Sequence, residues 1–201
     1  MAGRSAQKQY AAAARPSFAL RDGLTAAEKG TALHKYMQFA DYREARRDPA
    51  AELARLVAQR YLTREEGESI ELSRLQTFFG SPLARRIFAA PVMHRELRFT
   101  IQVPASQFDP AVAEDSGESV VVQGVADCVL EEPDGLVLID YKTDRFSAEQ
   151  SFFDRYAGQM ALYATAMRDC LHKPVKEQIL YAFSLGRALS LPPDNGLKSF
   201  S

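Results

Sequence analysis

Read as a pattern of apolar and polar positions, the chain changes period near residue 92. Before that point the helix start signals are legible. Thr25 with Glu28, and Thr63 with Glu66, each fit a capping box, in which the hydroxyl accepts from the third helical N–H and the carboxylate reaches back. Asp48–Pro49 and Ser81–Pro82 each set a capping oxygen before a proline at the first helical position, where its missing N–H costs nothing. These signals predict helices over 25–46, 49–61, 64–79 and 82–89, and so a helical N-terminal half.

From Val92 onward His94, Glu96, Arg98 and Thr100 alternate with Met93, Leu97, Phe99, Ile101 and Val103, which predicts a strand with one wet and one dry face. Val120–Glu131 and Leu136–Thr143 follow as strands, joined by the turn sequence Glu132-Pro133-Asp134-Gly135. Leu136-Val137-Leu138-Ile139 is apolar on both faces and belongs in the middle of a sheet covered on both sides. Ala148–Leu171 reads as one long helix, and Val175–Ser184 with Ala188–Leu191 as a closing strand or hairpin. The order predicts an α/β fold: a small mixed β-sheet flanked by helices. The crossover through the long helix is right-handed if its strands are parallel. No repeat, low-complexity tract or linker divides the chain.

Composition narrows the class. With 46% hydrophobic and 25% charged residues among 201, the chain can bury the core of one globular domain. No run approaches the roughly 20 apolar residues that a membrane span needs. Two cysteines, Cys128 and Cys170, cannot ligate an iron–sulfur cluster or a four-Cys zinc site. The polar stretch Met1–Arg15 reads as a frayed end or a cut through a larger protein rather than a signal peptide, so residues 1–21 are expected to be flexible, 22–201 to form one domain, and the compartment to be a reducing cytoplasm. Net charge is −1, but residues 1–60 carry +5, 61–135 carry −7 and 136–201 carry +1.

Asp127 and Asp140 are the residues that packing leaves unexplained. Asp127 shares a strand face with Val125 and Val129, and Asp140 ends a doubly buried run, so both carboxylates sit where desolvation is costly. A two-residue turn at Pro133–Asp134 sets these side chains opposite one another on one face; a bulge at Gly135 slips the register by one. Two carboxylates within about 5 Å repel unless a divalent cation or a proton lies between them. Oxygen ligands without thiolates select a hard ion, Mg²⁺ or Mn²⁺. Lys142, two residues beyond Asp140, shares its face and can orient or deprotonate a water or offset phosphate charge. The plainer alternative is an Asp140–Lys142 ion pair at a strand end. His34 in Gly30-Thr31-Ala32-Leu33-His34 reads alone as a satisfied helical histidine, and Glu96 as a solvated carboxylate. Gln159 and Tyr163 lie four apart on the long helix, on one face with Arg155 and Tyr156.

Taken in order, Gly-Thr-Ala-Leu-His at 30–34, Leu-Thr-Arg-Glu-Glu at 62–66, Phe-Phe-Gly-Ser-Pro-Leu at 78–83, Arg-Glu-Leu-Arg-Phe at 95–99, Gly-Val-Ala-Asp at 124–127, Asp-Tyr-Lys-Thr-Asp at 140–144 and Gln-Met-Ala-Leu-Tyr at 159–163 resemble the RecB-family nucleases. These form a branch of the PD-(D/E)XK superfamily, and the order is most similar to the nuclease domain that ends the larger, A-type chain of bacterial ATP-dependent helicase–nucleases. The resemblance runs from about Thr25 to Ser184. It implies a restriction-endonuclease-like core. It also implies metal ligands His34, Asp127, Asp140 and the Tyr141 carbonyl, a catalytic Lys142, and Gln159 and Tyr163 positioning the scissile strand. Glu96 matches an acidic family position and is grouped with the substrate-binding residues. The implied reaction is Mg²⁺-dependent hydrolysis of a DNA phosphodiester, with Mn²⁺ as substitute and Lys142 offsetting the added negative charge. The implied partners are DNA, the helicase domain of a parent chain, and the second subunit of a helicase–nuclease complex. The implied setting is double-strand-break repair and recombination, with single-stranded DNA delivered by the motor.

No G-x-x-x-x-G-K-[ST] sequence occurs, so these 201 residues hold no ATP site. Two other readings stay open. One is a DNA-binding or docking module with an idle nuclease site, holding phosphates through Lys35, Arg43, Arg46 and Arg47 with salt-sensitive affinity. The other is a phosphoesterase acting on small molecules.

Overall fold

Both capping boxes form. The Thr25 and Thr63 hydroxyls accept from the Glu28 and Glu66 N–H groups, and each glutamate returns a carboxylate oxygen to the cap. Asp48 and Ser81 cap the two proline-led helices as their sequences require. The computed structural model describes residues 23–109, 111–113, 115–144 and 149–191; the reading of 1–21 lies outside them, as does Ala148. Helices α1 (Ala26–Phe39), α2 (Tyr42–Arg47), α3 (Pro49–Ala58), α4 (Arg64–Ser69), α5 (Leu72–Gly80) and α6 (Pro82–Ala89) come first. Strands β1 (Val92–Pro104), β2 (Ser119–Glu132) and β3 (Gly135–Lys142) follow, then helix α7 (Glu149–Leu171) and strands β4 (Val175–Ala182) and β5 (Arg187–Ser190).

Two predicted helices are each broken in two. Ala40 is extended, the Asp41 carboxylate accepts from the Arg43 and Glu44 N–H groups, and Glu52 takes the Asp41 N–H at 2.6 Å. A cap inside the 25–46 stretch therefore starts a second helix, because a side-chain oxygen competes with the ladder. The 64–79 stretch breaks at Ile70, which is extended and buried, so that it and Leu75 both reach the core. The third helix ends at Ala58, short of residue 61, where Arg60 turns to a left-handed φ of 63°.

The sheet order is β1-β2-β3-β4-β5, antiparallel except for the β3–β4 pair, which is parallel and connected through α7. Helices α1–α6 cover one face, packing Leu33, Tyr36, Leu75 and Phe78 on Cys128, Leu130, Ile139 and Tyr181. Helix α7 covers the other, packing Met160 and Met167 on Val129, Leu138 and Leu180. The Leu136–Ile139 run is 0% exposed, as expected of a strand buried on both sides. The β2–β3 hairpin keeps the simple register, Glu132↔Gly135 through Cys128↔Ile139, without a slip. Gly135 has a φ of 147°, and a Cβ there would meet the Pro174 carbonyl at 2.8 Å, so the turn needs glycine. No helix among the described residues is long and apolar enough to cross a membrane.

The single dry face expected of β1 is corrected. Met93 packs with the α1–α6 core, whereas Leu97 and Phe99 pack with the α7 core. Alternate residues of a regular strand share a face. The change of side falls at Glu96, whose φ of 51° is left-handed. Pairing with β2 resumes in step on either side of it, Arg95↔Cys128 and Leu97↔Ala126. Arg95 on the near side donates to the carbonyls of Met37 and Ala40 at 3.2 and 2.7 Å and covers the Tyr42 ring, which secures the end of α1.

Candidate active site

Extending the hairpin register one step beyond Cys128↔Ile139 sets Asp127 opposite Asp140. The pairing is reinforced by the Tyr141 N–H, which donates to Asp127 Oδ2 at 2.7 Å. Asp140 is 3% exposed. Burial first, and the Asp127 charge second, push its carboxyl up to about 6 against the opposing pull of Lys142. Lys142 Nζ stands 2.7 Å from Asp140 Oδ2, yet this oxygen has no partner in hydrogen-bond geometry. The contact is thus a close ion pair of poor angle that leaves a lone pair of a buried carboxylate unused. The same ammonium donates to Gln159 Oε1 at 3.0 Å and lies 4.2 Å from the centroid of the Tyr156 ring.

Helix α1 brings His34 to the pair. Gly30, one turn earlier, lets the helix approach the end of β3: a Cβ there would fall 2.8 Å from Thr143 Oγ1. His34 Nδ1 lies 3.3 Å from Asp127 Oδ1. Burial opposes a charge on the imidazole, but the bond to Asp127 and the charges of Asp127, Asp140 and Glu96 outweigh it and raise the pKa above 6.5. Glu96 is raised as well, by burial and then by Asp127. Ligand atoms of His34, Glu96 and Asp127 lie within 4.8 Å of one another, a donor set of one imidazole and two carboxylates that suits a divalent ion. Two raised carboxyls and an unfilled buried oxygen are what a carboxylate cluster shows when its counter-charge is a cation.

Each site residue read from the sequence has a definite place. His34, Asp127, Asp140 and Tyr141 meet at one end of the sheet, and Lys142 and Gln159 meet beside them. Glu96, grouped with substrate binding, comes within the possible ligand trio, while Asp140 turns to Lys142. Tyr163 lies edge-on to Phe99 at 5.1 Å. The left-handed backbone that aims Glu96 costs about 1–3 kcal/mol and has no signature in an alternating strand. Of the basic residues considered for phosphate contacts, Lys35 is paired with Glu66 at 2.5 Å and Arg47 with Glu44 at 3.2 Å. Tyr156 is legible in the sequence only as a neighbour of Gln159 on one helix face. An open groove of about 900 Å³ leads away from His34 and Lys142, between α1, the α4–α5 junction and the end of β3, with Lys29 and Arg74 on its walls.

Comparison with known proteins places this geometry. Three bacterial relatives are ATP-dependent helicase/nucleases, matched in each case through their A-type chain. Over 173 residues this chain is 39% identical to the one from Acetivibrio thermocellus, covering 84% of the chain and 14% of that protein. Identity is also 39% over 180 residues to its counterpart in Bacillus mycoides, with the same shares covered. To that of Desulforamulus reducens it is 37% over 181 residues, covering 88% of the chain and 14% of the relative. The chain thus spans about a seventh of the length of these curated relatives. Residues 4–193 match the profile of the PD-(D/E)XK nuclease superfamily, and on that match the chain belongs to this superfamily.

Proposed function

We propose that the chain is a divalent-metal-dependent DNA nuclease domain that hydrolyses phosphodiester bonds of single-stranded DNA, with Mg²⁺ as resident ion and Mn²⁺ as substitute. The observation that carries this reading is the buried Asp127–Asp140 pair with Lys142 beside it and His34 and Glu96 converging on Asp127. His34, Asp127, Asp140 and the Tyr141 carbonyl are the proposed ligands, and the 4.8 Å grouping adds Glu96. A divalent ion held there supplies Lewis acidity toward a phosphoryl oxygen and lowers the pKa of water.

The protein's own part is orientation and charge. Asp127 accepts the Tyr141 N–H and so fixes the peptide between the two ligand positions of β3. Lys142 presents an ammonium that offsets negative charge developing on the phosphate. Gln159 holds Lys142, and with Tyr163 is proposed to position the scissile strand. The groove supports a single strand as substrate, since its walls converge on His34 and Lys142. The names of the relatives support helicase and second-subunit partners, and with them a place in cytoplasmic DNA repair and recombination.

The test is cleavage of an end-labelled single-stranded oligonucleotide. Cleavage is expected with Mg²⁺ or Mn²⁺, is abolished by EDTA, and falls at least a hundredfold in Asp127→Asn and Lys142→Ala. Unchanged metal-dependent cleavage in these variants overturns the assignment. Salt-sensitive DNA binding without cleavage in either ion would establish the idle-module reading in its place.

A further inference from the structure

A lysine that must meet a phosphate at one place needs more than a neighbouring carboxylate, because four rotatable bonds let its ammonium wander. In this site Asp140 is a poor sole anchor. It is a proposed ligand, so a cation bound there draws on the same oxygens that attract Lys142. The ring of Tyr156 is not subject to that competition. Its centroid lies 4.2 Å from Nζ, inside the range in which an aromatic face attracts a cation, and Tyr156 is 9% exposed, which strengthens the attraction by excluding water.

The ring is itself tied down. Its hydroxyl donates to the Asp144 carboxylate, two residues beyond Lys142. The backbone there is fastened to the end of β4: the Phe183 N–H donates to the Lys142 carbonyl at 2.8 Å, and Ser184 Oγ donates to the Asp144 carbonyl at 2.6 Å. One side chain of α7 thus spans the strand end that carries the lysine, its face on the ammonium and its hydroxyl on the next same-side carboxylate. Gln159, one turn along α7, closes the enclosure with a carbonyl oxygen.

We propose that Tyr156 is a positioning residue for the nuclease reaction: its ring face fixes the Lys142 ammonium, and its hydroxyl bond to Asp144 fixes the ring. The inference rests on the reading of Lys142 as the catalytic lysine. The test compares Tyr156 variants of the whole chain in metal-dependent cleavage of a labelled single strand. Tyr156→Leu, and Tyr156→Met as a second variant in case the first does not fold, are expected to lower kcat about 10- to 30-fold with KM within about twofold. Tyr156→Phe keeps the ring and is expected to stay within about threefold of the parent; Tyr156→Trp, with the stronger aromatic face, is expected to retain more activity than either aliphatic variant.

A double-mutant cycle separates positioning from structure. In a Lys142→Met background, Tyr156→Leu is expected to change the rate by less than about twofold, whereas an undiminished loss in that background overturns the proposal. If Lys142→Met alone leaves cleavage intact, the catalytic reading of the lysine fails instead. Because the chain contains no tryptophan, Tyr156→Trp also supplies a single fluorophore over Lys142. Its emission is expected to shift when Lys142→Met is added, and an unchanged spectrum overturns the contact without reference to activity.

Discussion

Asp140→Asn in metal-free protein is expected to stabilise the fold at neutral pH while abolishing metal-dependent activity. The carboxyl moves from an ordinary 3.8 to about 6 on folding, mainly through burial and then through Asp127. A pKa raised by folding means that the protonated form favours the fold. That contribution is whole below pH 3.8, is lost as pH rises through about 6, and is absent at pH 7, where the buried carboxylate is ionised. The difference between the two pKa values corresponds to about 3 kcal/mol at 1.36 kcal/mol per pH unit. The opposing attraction of Lys142 is already contained in that figure, since it lowers the folded-state value. Asparagine keeps the shape and cannot ionise, so the variant retains the contribution at every pH. Thermal melts in EDTA at pH 7 are expected to show a rise of about 6–12 °C for a chain of this size. At pH 4 both proteins carry a neutral group in the fold, and the gap shrinks to well under 1 kcal/mol. If Asp140→Asn melts at or below the parent at pH 7, the claim that this site stores unfavourable charge for a cation is wrong.

Three further outcomes follow from the same geometry. Saturating Mn²⁺ or Mg²⁺ is expected to raise the melting temperature of the parent, with about 2.7 kcal/mol at a hundred times Kd, and to leave Asp127→Asn unmoved; calorimetry and melting curves check it. Gly30→Ala drives a Cβ to 2.8 Å from Thr143 Oγ1 and is expected to impair metal binding by displacing His34, and Thr143→Ala in the same chain is expected to restore it in a titration. Arg95→Met strips two carbonyls at the end of α1 of their donor and is expected to cost about 1–3 kcal/mol in urea unfolding, with cleavage per folded molecule retained.

Relatives that align with only this seventh of their length are named as helicase/nucleases, so separated strands are the natural supply for a groove that ends at the Asp127–Asp140 pair. The absence of an ATP-binding motif in these 201 residues fits a division of labour in which strand separation lies elsewhere.

Local chemistry was readable from the residues alone. Capping oxygens at Thr25, Asp48, Thr63 and Ser81 act on N–H groups two or three positions away, so their helix starts needed no tertiary partner. The turn at Pro133–Asp134 set the β2–β3 register for the same reason, and with it the apposition of Asp127 and Asp140. What the fold alone decided involves partners far apart in the chain. The break at Asp41 depends on Glu52, and the strand's change of side at Glu96 depends on two cores that form on opposite faces of the sheet. Likewise Glu96 joins His34 and Asp127 only because three separate elements converge, and Tyr156 meets Lys142 only because α7 lies across the end of β3. Periodicity records which residues prefer to be dry; it does not record which of two dry layers receives them, and that choice belongs to packing.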